Sequence, residues 1–380
     1  MHGFKITSRN HFLQALATIK LRVILFCIMS ELRVTLSTIA SLAGVNASTV
    51  SRALNSRTAG MVECRLRARI LSLSDELGYR PGLLGKSFAT GKTFKIGFIT
   101  GSTQNDLSSP FLAQLLSSLA LYLQSYNYSL TILPYCGGPQ GDSLRQLLMS
   151  DVADGYILGV SMLDAQTRDI LRNSNRLIVA LDLHQWREQD DFSCLILDDL
   201  LAYRQIWRAL PVSWYRQVLF VGEPGINTDY KLAKMRQAAL FCGVGKSEIA
   251  VRLLPQLNTH FTLNRQHAFV YAEEHWRALA KYKLLWCASD LTALGLADAL
   301  SRRGLRIGTD ICLVGQDNIE SLYGALYQPL LTTVDPQMAE AGLQTAELLL
   351  RQLTQTKPKM IPTKIKLPSK LIFRTSLPRK

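Results

Sequence analysis

From residue 94 onward, short apolar runs alternate with longer amphipathic segments, and this rhythm limits the fold more than any other feature of the chain. Phe94–Thr100, Ser129–Pro134, Gly155–Val160, Leu177–Leu181, Gln217–Val221, Leu284–Ala288 and Ile311–Gly315 read as strands. Pro110–Tyr126, Lys231–Cys242, His267–Lys281 and Thr292–Arg303 read as helices between them. Strands that are apolar along nearly their whole length have no solvent face. They belong to parallel sheets covered by helices on both sides. Residues 95–380 are numerous enough for two such lobes.

In sheets of this kind, ligands bind beyond the carboxyl ends of the strands. Asp182 follows Ile178–Leu181, Ser289-Asp290 follows Leu284–Ala288, Asp317-Asn318 follows the last run, and Ser109-Pro110-Phe111 follows the first by a loop. Carboxylates at strand ends suit a polyhydroxyl ligand, because each accepts hydrogen bonds from two hydroxyls. The competing reading is that each Asp caps the helix after it.

Residues 34–80 follow a different pattern. Thr35 is placed to cap a helix on which Leu36, Ile39, Ala40 and Ala43 form one apolar stripe. Gly44 suits a left-handed turn. Asn46 is placed to cap a second helix with Val45, Val50, Ala53 and Leu54 inward, and a third helix carries Leu66, Ile70, Leu73 and Leu77 before Gly78. Two short helices about a glycine turn, braced by a third, make a helix-turn-helix. Its second helix would present Ala47, Ser48, Ser51 and Arg52, with Arg52 able to pair with a guanine edge or a phosphate and Ser48, Thr49 and Ser51 suited to phosphates. Residues 34–90 hold seven basic and three acidic side chains, and the whole chain carries a formal charge of +14. Both favour a polyanionic partner over a small helical module that binds protein.

Other features exclude alternatives. Seven cysteines at 27, 64, 136, 194, 242, 287 and 312 show no CxxC spacing, which argues against a disulfide framework or zinc site and fits a reducing cytoplasm. The apolar run Leu21–Met29 is too short to span a bilayer and has no cleavage site after it. Residues 1–33 read as an extension, with translation expected to start at Met29; a peptide from residues 1–28 in the mass spectrum of the native protein would contradict this. Gly243–Ser247 imitates a phosphate loop, but Leu240 stands where that motif needs glycine. No residue set marks an enzyme, a cofactor site or a metal site.

The runs LSTIASLAGVNASTVSRALN and RARILSLSDELGYRP resemble the head of the LacI/GalR repressor family, with Ala43-Gly44-Val45, Thr49-Val50-Ser51-Arg52, Leu54-Asn55, Glu76-Leu77-Gly78-Tyr79 and Pro81 at matching spacing. Thr38 departs from the acidic residue usual in the first helix. ASDLTALGLADALSRRGLRIGTDICLVGQDN and Pro329–Val334 resemble the family's core. The resemblance implies an α/β protein with an N-terminal all-α helix-turn-helix head and a periplasmic-binding-protein-like core of two doubly wound parallel-sheet lobes. The expected divisions are a head at 34–80, a hinge at 81–94 and an effector-binding and dimerisation core at 95–380. DNA contacts are expected from Thr35, Ala47, Ser48, Thr49, Ser51, Arg52, Asn55, Tyr79 and Phe88. Phe88 stands where the family's hinge wedges a leucine into the minor groove, while a plain flexible linker is the simpler reading of a segment containing Gly82 and Gly85.

Effector contacts are expected from Ser109, Phe111, Asp182, Lys231, Ser289 and Asp317. Lys231 takes the place of the family's arginine and lacks its two-pronged geometry. Phe269 and Leu263 lie where the family places apolar pocket residues. Asp182-Leu183-His184 and Lys370–Arg374 most resemble galactoside-responsive members. The expected protein is a cytoplasmic, nucleoid-associated repressor of a carbohydrate operon. It would act on near-palindromic double-stranded operator DNA under a small sugar effector, without cofactor or membrane. A homodimer is expected; the tail shows no heptad repeat for a tetramer coil. The alternatives are a sugar-binding protein with no DNA role and a repressor that has lost its effector.

Overall fold

The computed structural model describes residues 34–54, 58–79, 87, 90–101, 109–135, 142–159, 163–184, 186–245, 249–255, 264–323, 328–354 and 362–377. The chain divides into two compact units between Lys92 and Thr93.

The first unit holds α1 (Leu36–Ala43), α2 (Ala47–Leu54) and α3 (Cys64–Glu76). The Thr35 hydroxyl accepts from the Thr38 N–H, and the Thr38 hydroxyl accepts from the Thr35 N–H. Thr38 thus closes the capping box that a longer acidic side chain would normally close. Gly44 sits at φ 69°, the left-handed conformation that turns α1 into α2. The Asn46 carbonyl accepts the first amide bonds of α2. Ile39, Ala40, Ala43, Val50, Ala53 and Ile70 are buried together, with Leu36, Val45, Leu54, Leu66, Leu73, Leu77 and Tyr79 packed around them. All three apolar stripes therefore meet in one small core.

The second unit contains two six-stranded sheets. The first lobe has β1 (Lys95–Gly101), β2 (Ser129–Tyr135), β3 (Gly155–Gly159), β4 (Ile178–Leu181), β5 (Ser193–Asp198) and β11 (Lys364–Pro368), in the order β11-β5-β4-β3-β1-β2 and parallel throughout. The second has β6 (Val218–Gly222), β7 (Ala250–Leu253), β8 (Leu284–Cys287), β9 (Cys312–Gln316), β10 (Thr332–Asp335) and β12 (Lys370–Ile372), in the order β12-β10-β9-β8-β6-β7. The lobe is parallel as expected, with the edge strand β12 alone running antiparallel. The helices are α4 (Pro110–Ser125), α5 (Asp142–Met149), α6 (Ala165–Asn173), α7 (Leu200–Ala209), α8 (Ile226–Leu240), α9 (Asn264–Leu279), α10 (Asp290–Arg302) and α11 (Met338–Thr354). Helix α8 begins five residues before the expected Lys231, because the bend at Gly225 lets the chain start winding at once.

Successive residues of β1 show why the runs are unbroken. Ile96 and Phe98 enter one cluster with Leu115, Leu119 and Leu349, while Ile99 enters another with Leu144, Leu158 and Leu171. Both faces of the strand are dry. The chain crosses between lobes three times. After β5 it enters α7, which packs in the second lobe beside Phe220 and Trp286. After β10 it enters α11, which packs in the first lobe. It returns once more between β11 and β12.

Candidate functional site

In the head, Ala47, Ser48, Ser51 and Arg52 are exposed along one face of α2, opposite buried Val50 and Ala53, while Thr49 and Tyr79 are half-buried. The sequence-predicted recognition residues share one surface because helical spacing puts residues three and four apart on the same side. Thr35 is exposed at the start of α1, where its hydroxyl is engaged in the cap. Asn55 and Phe88 lie outside the described residues.

In the core, Asp182, Ser289 and Asp317 stand just beyond β4, β8 and β9, and Lys231 reaches them from the second turn of α8. The Lys231 ammonium donates to the Ala288 carbonyl at 2.7 Å and lies 3.8 Å from an Asp317 carboxylate oxygen. Burial pushes the Asp317 carboxyl up to about 6 against the opposing pull of Lys231. Burial, and then Asp199, push the Asp182 carboxyl up to about 8; the Leu197 amide bond and Lys231 pull the other way. Asp182 and Asp317 both adopt positive φ, 56° and 103°. Two strained, dehydrated carboxyls beside one ammonium are costly for stability alone, and such strain gathers where a ligand is held.

Ser289 caps α10: its hydroxyl accepts from the Thr292 N–H and pairs with the Thr292 hydroxyl, which donates to Glu223 at 2.7 Å. Asp290 is not the cap and does not face a ligand. It is fully buried, taking the Thr333 hydroxyl on one oxygen and the Ile319 N–H on the other, so the expectation that groups it with Asp182 and Asp317 is corrected. Ser109 is buried at the head of α4 with no capping bond from its side chain, and Phe111 packs partly against the first lobe's core. Phe269 is also corrected: it lies in the α9–α10 layer beneath the Arg302 guanidinium, 4.8 Å from its ring centre. Leu263 lies outside the described residues.

Sequence reasoning missed two further groupings. At the crossings, the Tyr203 hydroxyl donates to Gln316 at 2.5 Å, Gln316 donates to Asp199 at 3.0 Å, and the Ser369 hydroxyl donates to the other Asp199 oxygen at 2.5 Å. At the cleft, His184 of the first lobe stacks on Tyr230 of the second, with ring centres 3.5 Å apart and planes 9° from parallel.

Comparison with known proteins decides the family. Residues 35–82 match the bacterial regulatory proteins of the lacI family, and residues 215–377 match the periplasmic binding protein-like domain. The chain belongs to the LacI family. It is similar to the HTH-type transcriptional repressor PurR of Actinobacillus pleuropneumoniae, at 24% identity over 90% of this chain and 98% of that one. It is also similar to the ribose operon repressor of Haemophilus influenzae, at 27% identity over 84% and 92%. Among solved structures, the fold matches the Lac repressor bound to ONPG in the repressed state, with TM-score 0.72 and 20% identity over 91% of this chain and 100% of that one. A transcriptional regulator CelR–cellobiose complex matches at TM-score 0.60 and 22% identity over 90% and 100%. This LacI-family chain is a transcriptional repressor with a DNA-binding head and a periplasmic-binding-protein-like core. Among the described residues, no helix is long and apolar enough to cross a membrane.

Proposed function

We propose that this repressor controls a carbohydrate-utilisation operon through a neutral sugar held between its two core lobes. The observation that carries the reading is the cluster of Asp182, Lys231 and Asp317, with Ser289 beside it, at the strand ends of both lobes. Carboxyls and an ammonium in fixed positions pair with several hydroxyls at once, and Ser109 and Phe111 complete the wall. Two copies bind a near-palindromic operator, each inserting α2 into the major groove with Arg52 toward base edges and Thr35, Ser48, Thr49, Ser51, Asn55 and Tyr79 toward the backbone. Phe88 wedges into the minor groove between the half-sites. Sugar binding alters the relation of the lobes and so the grip on DNA, with a coupling of about 1–3 kcal/mol. The ribose operon repressor and the cellobiose complex among its relatives support a carbohydrate effector.

A second reading is a repressor without effector. It draws on Lys231, whose ammonium is already occupied by the Ala288 carbonyl and Asp317.

Selection of genomic fragments by the purified protein, followed by calorimetry with sugars, tests both. Enrichment of one near-palindromic sequence, lost with Arg52→Ala, together with micromolar binding of a neutral sugar, is the expected result. Specific DNA binding with no heat from any sugar supports the second reading, and no sequence preference at physiological salt overturns both.

A further inference from the structure

Asp317 is held from both sides by the segments that join the lobes. Gln316, the last residue of β9, donates through its side-chain amide to Asp199 at 3.0 Å, and Asp199 opens the first crossing, between β5 and α7. Asn318 donates through its side-chain amide to Asp335 at 3.0 Å, and Asp335 ends β10 at the second crossing. The crossings are in turn bonded to one another. Ser369, on the third crossing, donates its hydroxyl to the Asp199 carboxylate at 2.5 Å and its N–H to the Asp198 carbonyl at 3.0 Å. Gln337, on the second, donates its side-chain amide to the Pro368 carbonyl beside the third at 2.6 Å.

Asp199 is the centre of this arrangement. It is 4% exposed, and its two carboxylate oxygens are taken separately, one by Ser369 and one by Gln316. A carboxylate only accepts, so the Gln316 amide must turn its nitrogen to Asp199 and its oxygen to the Tyr203 hydroxyl, which donates at 2.5 Å. Tyr203 lies one turn along α7, with its N–H bonded to the Asp199 carbonyl. Gln316 is therefore gripped from two points of one helix. Any loss of an acceptor leaves a buried donor unpaired, so a displacement at one end of the chain is passed on rather than absorbed. After burial, the charge of Asp199 is among the causes that push the Asp182 and Asp317 carboxyls up, and it stands close to both.

We propose that Asp199 is a positioning residue for the effector response: through Gln316 it ties Asp317 to the lobe crossings, so that a ligand pulling on Asp317 turns one lobe against the other. Taken with the reading above that Asp317 touches the sugar, this names the residue through which the cleft and the crossings communicate. Asp199 itself touches no sugar. Its replacement uncouples sugar from operator while the sugar still binds.

The test uses the full chain, the operator recovered by genomic selection, and D-ribose, D-galactose and cellobiose. Fluorescence anisotropy gives operator affinity with and without saturating sugar, and calorimetry gives sugar affinity without DNA. In the wild type, the sugar that binds should change operator affinity about 5–150-fold. Asp199→Asn keeps the volume but sets an amide against the donors of Gln316 and Ser369. It should shrink that ratio at least about threefold and leave sugar affinity within about threefold of wild type. Ser369→Ala removes a single hydroxyl, covers the case in which Asp199→Asn does not fold, and should shrink the ratio at least about twofold. A purely structural role would lower the urea midpoint of both variants and leave the ratio alone. An unchanged ratio in both variants, or no effect of a bound sugar on operator affinity in the wild type, overturns the inference and leaves sugar binding standing. So does loss of sugar binding itself in Asp199→Asn. Failure of every sugar to bind the wild type overturns the sugar reading and this inference with it.

Discussion

Asp182 and Asp290 illustrate how one residue type takes opposite roles at neighbouring strand ends. Asp290 spends both oxygens on its own protein, joining β10 to the turn at Ile319. Asp290→Ala leaves the buried Thr333 hydroxyl and Ile319 amide unpaired, and should cost about 2–4 kcal/mol in urea unfolding of the core, against under 1 kcal/mol for an exposed carboxylate such as Asp169. Asp182 instead keeps a carboxyl that its surroundings barely satisfy. Its folded value of about 8 lies above the ordinary 3.8, so the folded protein binds the proton more tightly than the unfolded chain. Its contribution to stability is therefore most favourable at low pH and declines as pH rises from about 4 to about 8. Asp317 adds to the decline between about 4 and about 6. Asp182→Asn removes the larger part. Between pH 5 and pH 9 the variant should gain on the wild type by at least about 1 kcal/mol, read from urea midpoints. A constant difference across that range would show that Asp182 is not dehydrated.

At the scale of elements, close approach governs what can be changed. Helices α9 and α10 touch at Gly295, where an added Cβ would lie 2.9 Å from both the Phe269 amide nitrogen and the Ala268 Cβ and would run into the Arg265 carbonyl. Gly295→Ala should therefore push the helices apart and destabilise the second lobe by about 1–3 kcal/mol, although alanine favours helix in isolation. Urea unfolding followed by tryptophan fluorescence measures it, and a neutral or stabilised variant would refute the packing. Element identity was legible where strands are central. Phe94–Thr100 and Leu284–Ala288 announce themselves because both faces are buried. Lys364–Pro368 and Lys370–Ile372 escaped notice because they are edge strands, alternating exposed lysines with half-buried apolar residues, and so show no unbroken run. Ser193–Asp198 is buried, but polar residues bound its apolar stretch and interrupt the run. The cleft was legible in part. Asp182, Ser289 and Asp317 follow from the rule about strand ends, whereas the His184–Tyr230 stack and the Asp199–Gln316–Ser369 chain join residues far apart in sequence, which no local pattern records.

For the molecule as a whole, charge and connection matter most. A formal charge of +14 over 380 residues and an exposed Arg52 face predict that operator binding weakens steeply with salt. With six to ten phosphate contacts per dimer, affinity should fall about 10³–10⁵-fold between 50 and 200 mM salt. A slope of zero in a fluorescence-anisotropy titration would remove electrostatics from the account. If the effector is the neutral sugar proposed above, its binding should change little over the same range.

The order of the strands also governs how the polypeptide matures on the ribosome. The first lobe lacks α11 and β11 until about residue 368 has been made, and the second lobe lacks β12 until residue 372. The three helices of the head, by contrast, are complete in sequence by residue 76. A nascent chain therefore carries a finished head tethered to one open sheet and, once residue 218 has been passed, to two until synthesis is nearly over. A nonsense mutation a dozen codons before β12 would leave that half-built core exposed to proteases and would yield a short-lived product rather than a smaller working repressor.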